Sequence, residues 1–134
     1  MLLCDAAESI GGKLYILGGG WSQIYTPDTP DAPIKMALAV KLSIPWDLTN
    51  EPLTVRARLL TEDGEAVEGG TGPLFAEGDI EVGRPPGLKR GTPIDAPFVL
   101  NFAGVTLPPG GYVWQLEVEG ETKARAPFRV LSQG

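Results

Sequence analysis

A chain of 134 residues, 43% of them hydrophobic, is long enough to bury one contiguous core and too short for two, so a single domain over residues 1–134 is expected. The 17 acidic and 11 basic residues give a net charge of −6, which repels phosphate backbones and anionic lipid and argues against nucleic acid or a membrane as partner. Histidine is absent and Cys4 is the one cysteine, which removes the commonest general base, any intrachain disulfide and a zinc site.

Met1 to Glu8 and Lys13 to Leu17 are short and apolar enough for strands, separated by Ile10-Gly11-Gly12 as a turn. The start lacks a basic segment followed by an apolar run, so it does not read as a secretory signal; with the lone cysteine, this favours the cytoplasm. No stretch approaches the roughly 20 apolar residues of a membrane-spanning helix. Gly18-Gly19-Gly20 lacks the Lys and Ser or Thr of a phosphate loop and is expected to be a hairpin or bulge. Tyr25 to Pro33, rich in Pro and Asp, reads as a surface loop or a crossing between sheets.

Period-two alternation is clearest from Ile34 to Ile44, where Ile34, Met36, Leu38, Val40, Leu42 and Ile44 share one face and Lys35, Ala37, Ala39, Lys41 and Ser43 the other. Trp46 to Asn50 reads as a single helical turn capped by Asp47 or Thr49 and stopped by Pro52. Leu53, Val55, Ala57 and Leu59 alternate as a second strand. It ends in a three-residue loop, Glu62-Asp63-Gly64, which needs φ > 0 at Gly64 and sets Leu59 opposite Val67. Weaker alternation marks Leu74 to Val82, Pro97 to Phe102 and Ala124 to Val130, with Gly83 to Pro93 as a long loop.

Tyr112, Trp114, Leu116 and Val118 alternate after Pro108-Pro109-Gly110-Gly111. Apolar residues on both arms of the last hairpin fall at even positions, so paired numbers should sum to an even value. That predicts a three-residue loop, Gly120-Glu121-Thr122, with Trp114 facing Phe128, Leu116 facing Ala126 and Val118 facing Ala124 inside, and Glu117 facing Arg125 and Glu119 facing Lys123 outside.

About eight strands at this spacing predict an all-β, two-sheet antiparallel β-sandwich. Tyr112 stands where immunoglobulin-like, Greek-key sandwiches place a Tyr whose hydroxyl bonds back to nearby backbone. Met36, Leu38, Val40, Leu42, Val55, Leu59, Trp114, Leu116, Val118 and Phe128 are expected to form one core. The segments from Met1 to Ala7, Lys13 to Trp21 and Pro45 to Leu48, with the Pro-Pro-Gly-Gly run before Tyr112, resemble a family of small bacterial proteins of unknown function. The resemblance covers nearly the whole chain and implies no activity.

No residue constellation points to catalysis, a cofactor or a metal. Cys4, without a basic neighbour, reads as a small buried hydrophobe. The acid pairs Asp28 with Asp31, Asp47 with Glu51, Asp63 with Glu65 and Glu117 with Glu119 lack the spacing of a calcium loop and read as solvated turns. Trp21 and Trp46 stand beside turns, where they either cover the ends of the sandwich or offer rings to a sugar. Arg84, Lys89 and Arg90 make the one basic loop in an acidic chain and suit an acidic partner, including a second copy. The expectation is therefore a non-enzymatic interaction module that self-associates, with a small-ligand or carbohydrate binder as alternative and a carboxylate-only enzyme third.

Overall fold

The computed structural model describes residues 1–26, 34–69, 72–73 and 75–132. Its strands are β1 (Leu2–Ile10), β2 (Lys13–Gly19), β3 (Gln23–Tyr25), β4 (Ile34–Ile44), β5 (Leu53–Thr61), β6 (Glu68–Gly69), β7 (Gly72–Pro73), β8 (Phe75–Ile80), β9 (Ile94–Val105), β10 (Gly110–Val118) and β11 (Glu121–Leu131). The chain is all-β, with one 3-10 turn at Trp46–Leu48 among the described residues. A four-stranded sheet runs β2-β1-β4-β9, a five-stranded sheet runs β3-β11-β10-β5-β8 and curls into a half-barrel, and β6 and β7 pair separately. Among the described residues only β3, beside β11, pairs in parallel. The expected loop over Tyr25 to Pro33 lies, from Pro27 onward, outside the described residues, as does Leu74. Gly83 to Pro93 does connect the two sheets, from β8 to β9.

The strand phases follow the alternation. On β4, Ile34, Met36, Leu38, Val40 and Ile44 are buried, and on β5 so are Leu53, Val55, Ala57 and Leu59. The main core takes Leu3, Met36, Leu38, Val40 and Phe102 from one sheet and Ala57, Leu59, Tyr112, Trp114, Leu116, Phe128 and Val130 from the other. At its centre the Trp114 ring stacks 4.2 Å from Phe102 and its Nε1–H donates to Met36 Sδ at 3.3 Å.

The core is not the single cluster expected. Ile44, Leu53 and Ala96 form a second group at one end, with half-buried Leu42 and Val118 packed on it. Cys4, Ala7, Ala37 and Ala39 form a third on the far face of the four-stranded sheet. That face is closed because β1 pairs with β4 only as far as Cys4. Beyond it the β1–β2 hairpin turns across the sheet, Leu14 and Val99 pack on the alanines, and Ser9 Oγ donates to Pro97 O at 3.2 Å. Alanine at 37 and 39 leaves room for this approach.

The Glu62-Asp63-Gly64 loop has the expected form: Gly64 has φ +86°, Thr61 N donates to Glu65 O, and Val67 N donates to Leu59 O. The Trp46–Leu48 turn corrects the predicted cap. Its N-cap is Pro45 without a side-chain bond, and Thr49 closes the other end, its Oγ1 donating to Trp46 O at 2.6 Å.

The last hairpin overturns the predicted register. Trp114 pairs with Ala126 and Leu116 with Ala124, then a bulge intervenes and Glu117 pairs with Thr122 and Val118 with Glu121. The turn is the two-residue Glu119-Gly120, at φ 51° and 81°, the left-handed pair whose twist matches the flanking strands. Lys123 is the extra residue, and this bulge restores the even sum that the apolar pattern demands. Glu119 is a costly residue for that conformation, but its N–H donates to Thr54 O at 2.9 Å and its carboxylate accepts from Thr54 N at 2.7 Å. The predicted Glu117–Arg125 and Glu119–Lys123 pairs give way to Arg58–Glu117 and Lys123–Glu121.

Two outcomes follow for urea denaturation. Leu38→Ala should cost about 2 to 5 kcal/mol, and Leu42→Ala, only partly buried, less. Glu119→Ala keeps the left-handed strain and loses the bond from Thr54 N, so it should cost about 1 to 2 kcal/mol. Glu119→Gly relieves the strain and should stay within about 0.5 kcal/mol of wild type. Equal losses from the two substitutions would show that backbone strain at this position is not the deciding term.

Candidate functional site

The predicted partner-binding residues separate into two places. At the end of the molecule beyond Ile44, Arg84 is held within its own chain: its guanidinium lies 4.2 Å over the Trp46 ring, Nε donates to Thr49 Oγ1 at 2.7 Å and Nη2 donates to Trp46 O at 3.0 Å. Thr49, buried, is thus both donor and acceptor in a closed knot that fastens the long loop to the 3-10 turn. Arg90 remains exposed and shares a cleft of about 410 Å³ with Trp46, Asp47 and Pro93. Lys89 is exposed as well, and its carbonyl accepts from the Thr92 N–H and hydroxyl.

Trp21 lies at the other end. It meets Phe128 edge-on at 6.1 Å, and Phe128 pairs with Tyr112, whose Oη donates to Pro108 O at 2.6 Å. Burial pushes the Tyr112 phenol above its ordinary pKa. Trp21 Nε1 is itself buried, with no acceptor among the described residues. The two indoles, for which covering the sandwich ends and stacking on a sugar were the alternatives, are therefore apart, one beneath an arginine and the other packed on the core.

The carboxylates are similarly dispersed. Glu117 accepts from Arg58 and Gln115, Glu119 from the Thr54 backbone, and Asp28 and Asp31 lie outside the described residues. Cys4 is fully buried with Sγ 3.5 Å from Ala37 O, and burial, then the charge of Asp5, raises its pKa. A thiol so placed is a poor nucleophile at neutral pH.

The surface that sequence reasoning passed over is the β1–β2 hairpin. Leu2, Ile10, Tyr15, Ile16 and Leu17 are all exposed, Leu17 at 71%. Tyr15 and Leu17 line a cleft of about 550 Å³ with Ala6, Glu8, Lys35 and Asn101. The local chemistry explains the shape: Gly11 and Gly12, at φ 58° and 76°, make the tight reversal. A Cβ at Gly18 would strike the Asp5 carboxylate, which together with φ +60° leaves glycine as the fitting residue. The available signal was Leu14-Tyr15-Ile16-Leu17, four apolar residues in succession. A strand without a polar face must be covered on both sides or show apolar surface to water.

The model of a family of unknown function (DUF6941) matches residues 1–131. The chain belongs to this family. No curated protein matches the chain. Membership brings no catalytic residue with it, so the functional reading rests on the surfaces described above.

The Arg84 knot yields a measurable expectation. Arg84→Ala removes a stacked cation and two hydrogen bonds and should lower stability by about 1 to 2 kcal/mol while uncovering Trp46, seen as a red shift of tryptophan emission. An unchanged spectrum would mean that the guanidinium does not cover the ring in solution.

Proposed function

We propose that this chain is a non-enzymatic protein-interaction module, an immunoglobulin-like sandwich of Greek-key type that takes its partners, a second copy of itself included, on the β1–β2 hairpin. The observation that carries the reading is that Leu2, Ile10, Tyr15, Ile16 and Leu17 are all exposed on one edge hairpin, because large apolar side chains left in water at a sheet edge mark an interaction site. The sandwich reading is supported by the core shared between the sheets and by the Tyr112 hydroxyl bonded back to Pro108. The buried free Cys4 suits a reducing compartment, and the resemblance to small bacterial proteins favours a bacterial cytoplasm. Arg90 and Lys89 are secondary in this reading, since the basic loop to which they belong is anchored for structural reasons through Arg84.

The test is capture of partners from a lysate on the immobilised full chain, compared between wild type and two variants. Leu17→Lys should reduce capture at least about tenfold, a loss of about 1.4 kcal/mol or more. Arg90→Ala should leave it unchanged. Capture lost with Arg90→Ala and kept with Leu17→Lys would transfer the function to the loop and overturn the reading.

A further inference from the structure

We infer that two copies of this chain pair antiparallel through the free edge of β2, about a two-fold axis at Tyr15; this rests on the hairpin reading above and names its partner. Among the described residues, four strand edges are open in the two main sheets: β2, β9, β3 and β8. Three are blunted. β8 carries Glu77 and Asp79, β9 carries Asp95 and Pro97, and β3 spans only Gln23–Tyr25. β2 has Lys13 at its start and no other charge, and from Leu14 to Leu17 it is wholly apolar. In a chain of net charge −6, β2 is the one of the two acid-free edges, β2 and β3, that is long enough to pair with a second copy over several residues.

Hydrogen-bond phase narrows the geometry. Ile10 and Lys13 flank the two-residue turn and form the hydrogen-bonded pair that closes it, so Lys13, Tyr15 and Leu17 direct N–H and C=O toward β1. Leu14 and Ile16 direct theirs outward, where no described strand receives them. A two-fold axis normal to the sheet keeps each face on its own side, so paired residues have the same parity and their numbers sum to an even value. With a sum of 30, Leu14 pairs with Ile16 of the second copy and Ile16 with its Leu14, engaging all four outward groups of each strand around a central Tyr15–Tyr15 pair. A sum of 32 would set Leu14 against Gly18, whose φ of +60° breaks the extended backbone. A sum of 28 would set Ile16 against Gly12, inside the turn. In the favoured register Lys13 faces Leu17 of the other copy, so no like charges meet across the seam.

The central pair is of the non-hydrogen-bonded kind, with Cα atoms about 4.5 Å apart, within disulfide range. The full chain carrying Tyr15→Cys should therefore cross-link to itself under mild oxidation. Leu17→Cys should not, because the two Leu17 positions lie about 13 Å apart along the strands. By light scattering the wild type should have twice the 14.2 kDa chain mass. Ile16→Pro, which removes an outward N–H and leaves the bonds to β1, should halve that mass without changing the circular dichroism spectrum. A wild type that stays monomeric overturns this pairing, and the hairpin as an interaction site survives if Leu17→Lys still abolishes partner capture. A dimer that persists with Ile16→Pro, or that cross-links through Leu17→Cys and not Tyr15→Cys, also overturns it.

Discussion

Everything in this fold is referred to one side chain, Trp114. It projects from the middle strand of the five-stranded sheet and meets Met36 and Phe102, which are themselves cross-strand partners in the other sheet. A single indole thus spans the interior and touches both members of a pair. Its N–H, which would cost on the order of 1 to 3 kcal/mol if left without an acceptor, meets the thioether of Met36. Neighbours make way for the large ring: Trp114 is flanked in its own sheet by Leu59 and by the small Ala126. Once that contact is set, β4 and β9 have a fixed position against β10, and the Ile44, Leu53 and Ala96 cluster closes one end of the interior.

How much of this was legible depends on whether the deciding physics was local. The alternation of β4, β5 and β10 assigns their buried faces correctly, because burying one face of a strand needs no knowledge of what covers it. The Glu62-Asp63-Gly64 loop was legible for the same reason, Gly64 standing last in a three-residue loop. The final hairpin was not. Parity reasoning assumed an unbroken ladder, whereas the chain adopts the tighter Glu119-Gly120 turn and absorbs the mismatch in a bulge at Lys123. The compensation comes from Thr54, some 65 residues away, and no local rule could supply it.

The candidate sites divide along the same line. Arg84 and Trp46 are noticeable in sequence as a cation in a basic loop and an aromatic beside a turn, but their mutual contact makes them structural. The apolar run of β2 was visible, yet its consequence depends on the hairpin leaving β4 after Cys4 and folding across Ala37 and Ala39. That crossing covers one face of the hairpin with Val99 and leaves Tyr15 and Leu17 in water. The same bend that closes the outer face of the sheet thereby generates the surface on which the functional reading rests.

The parallel pair β3–β11 bears on the order of assembly. Gln23, Ile24 and Tyr25 pair with Arg129, Val130 and Leu131, so the two halves of this ladder leave the ribosome roughly 100 residues apart. Until β11 emerges, β3 has no sheet to join, and Trp21 lacks the Phe128 ring that it packs against. At a typical synthesis rate of about 5 to 20 residues per second, that interval lasts roughly 5 to 20 seconds. Vulnerability to wrong association around Trp21 and β3 is therefore greatest in the nascent chain, before β11 has emerged.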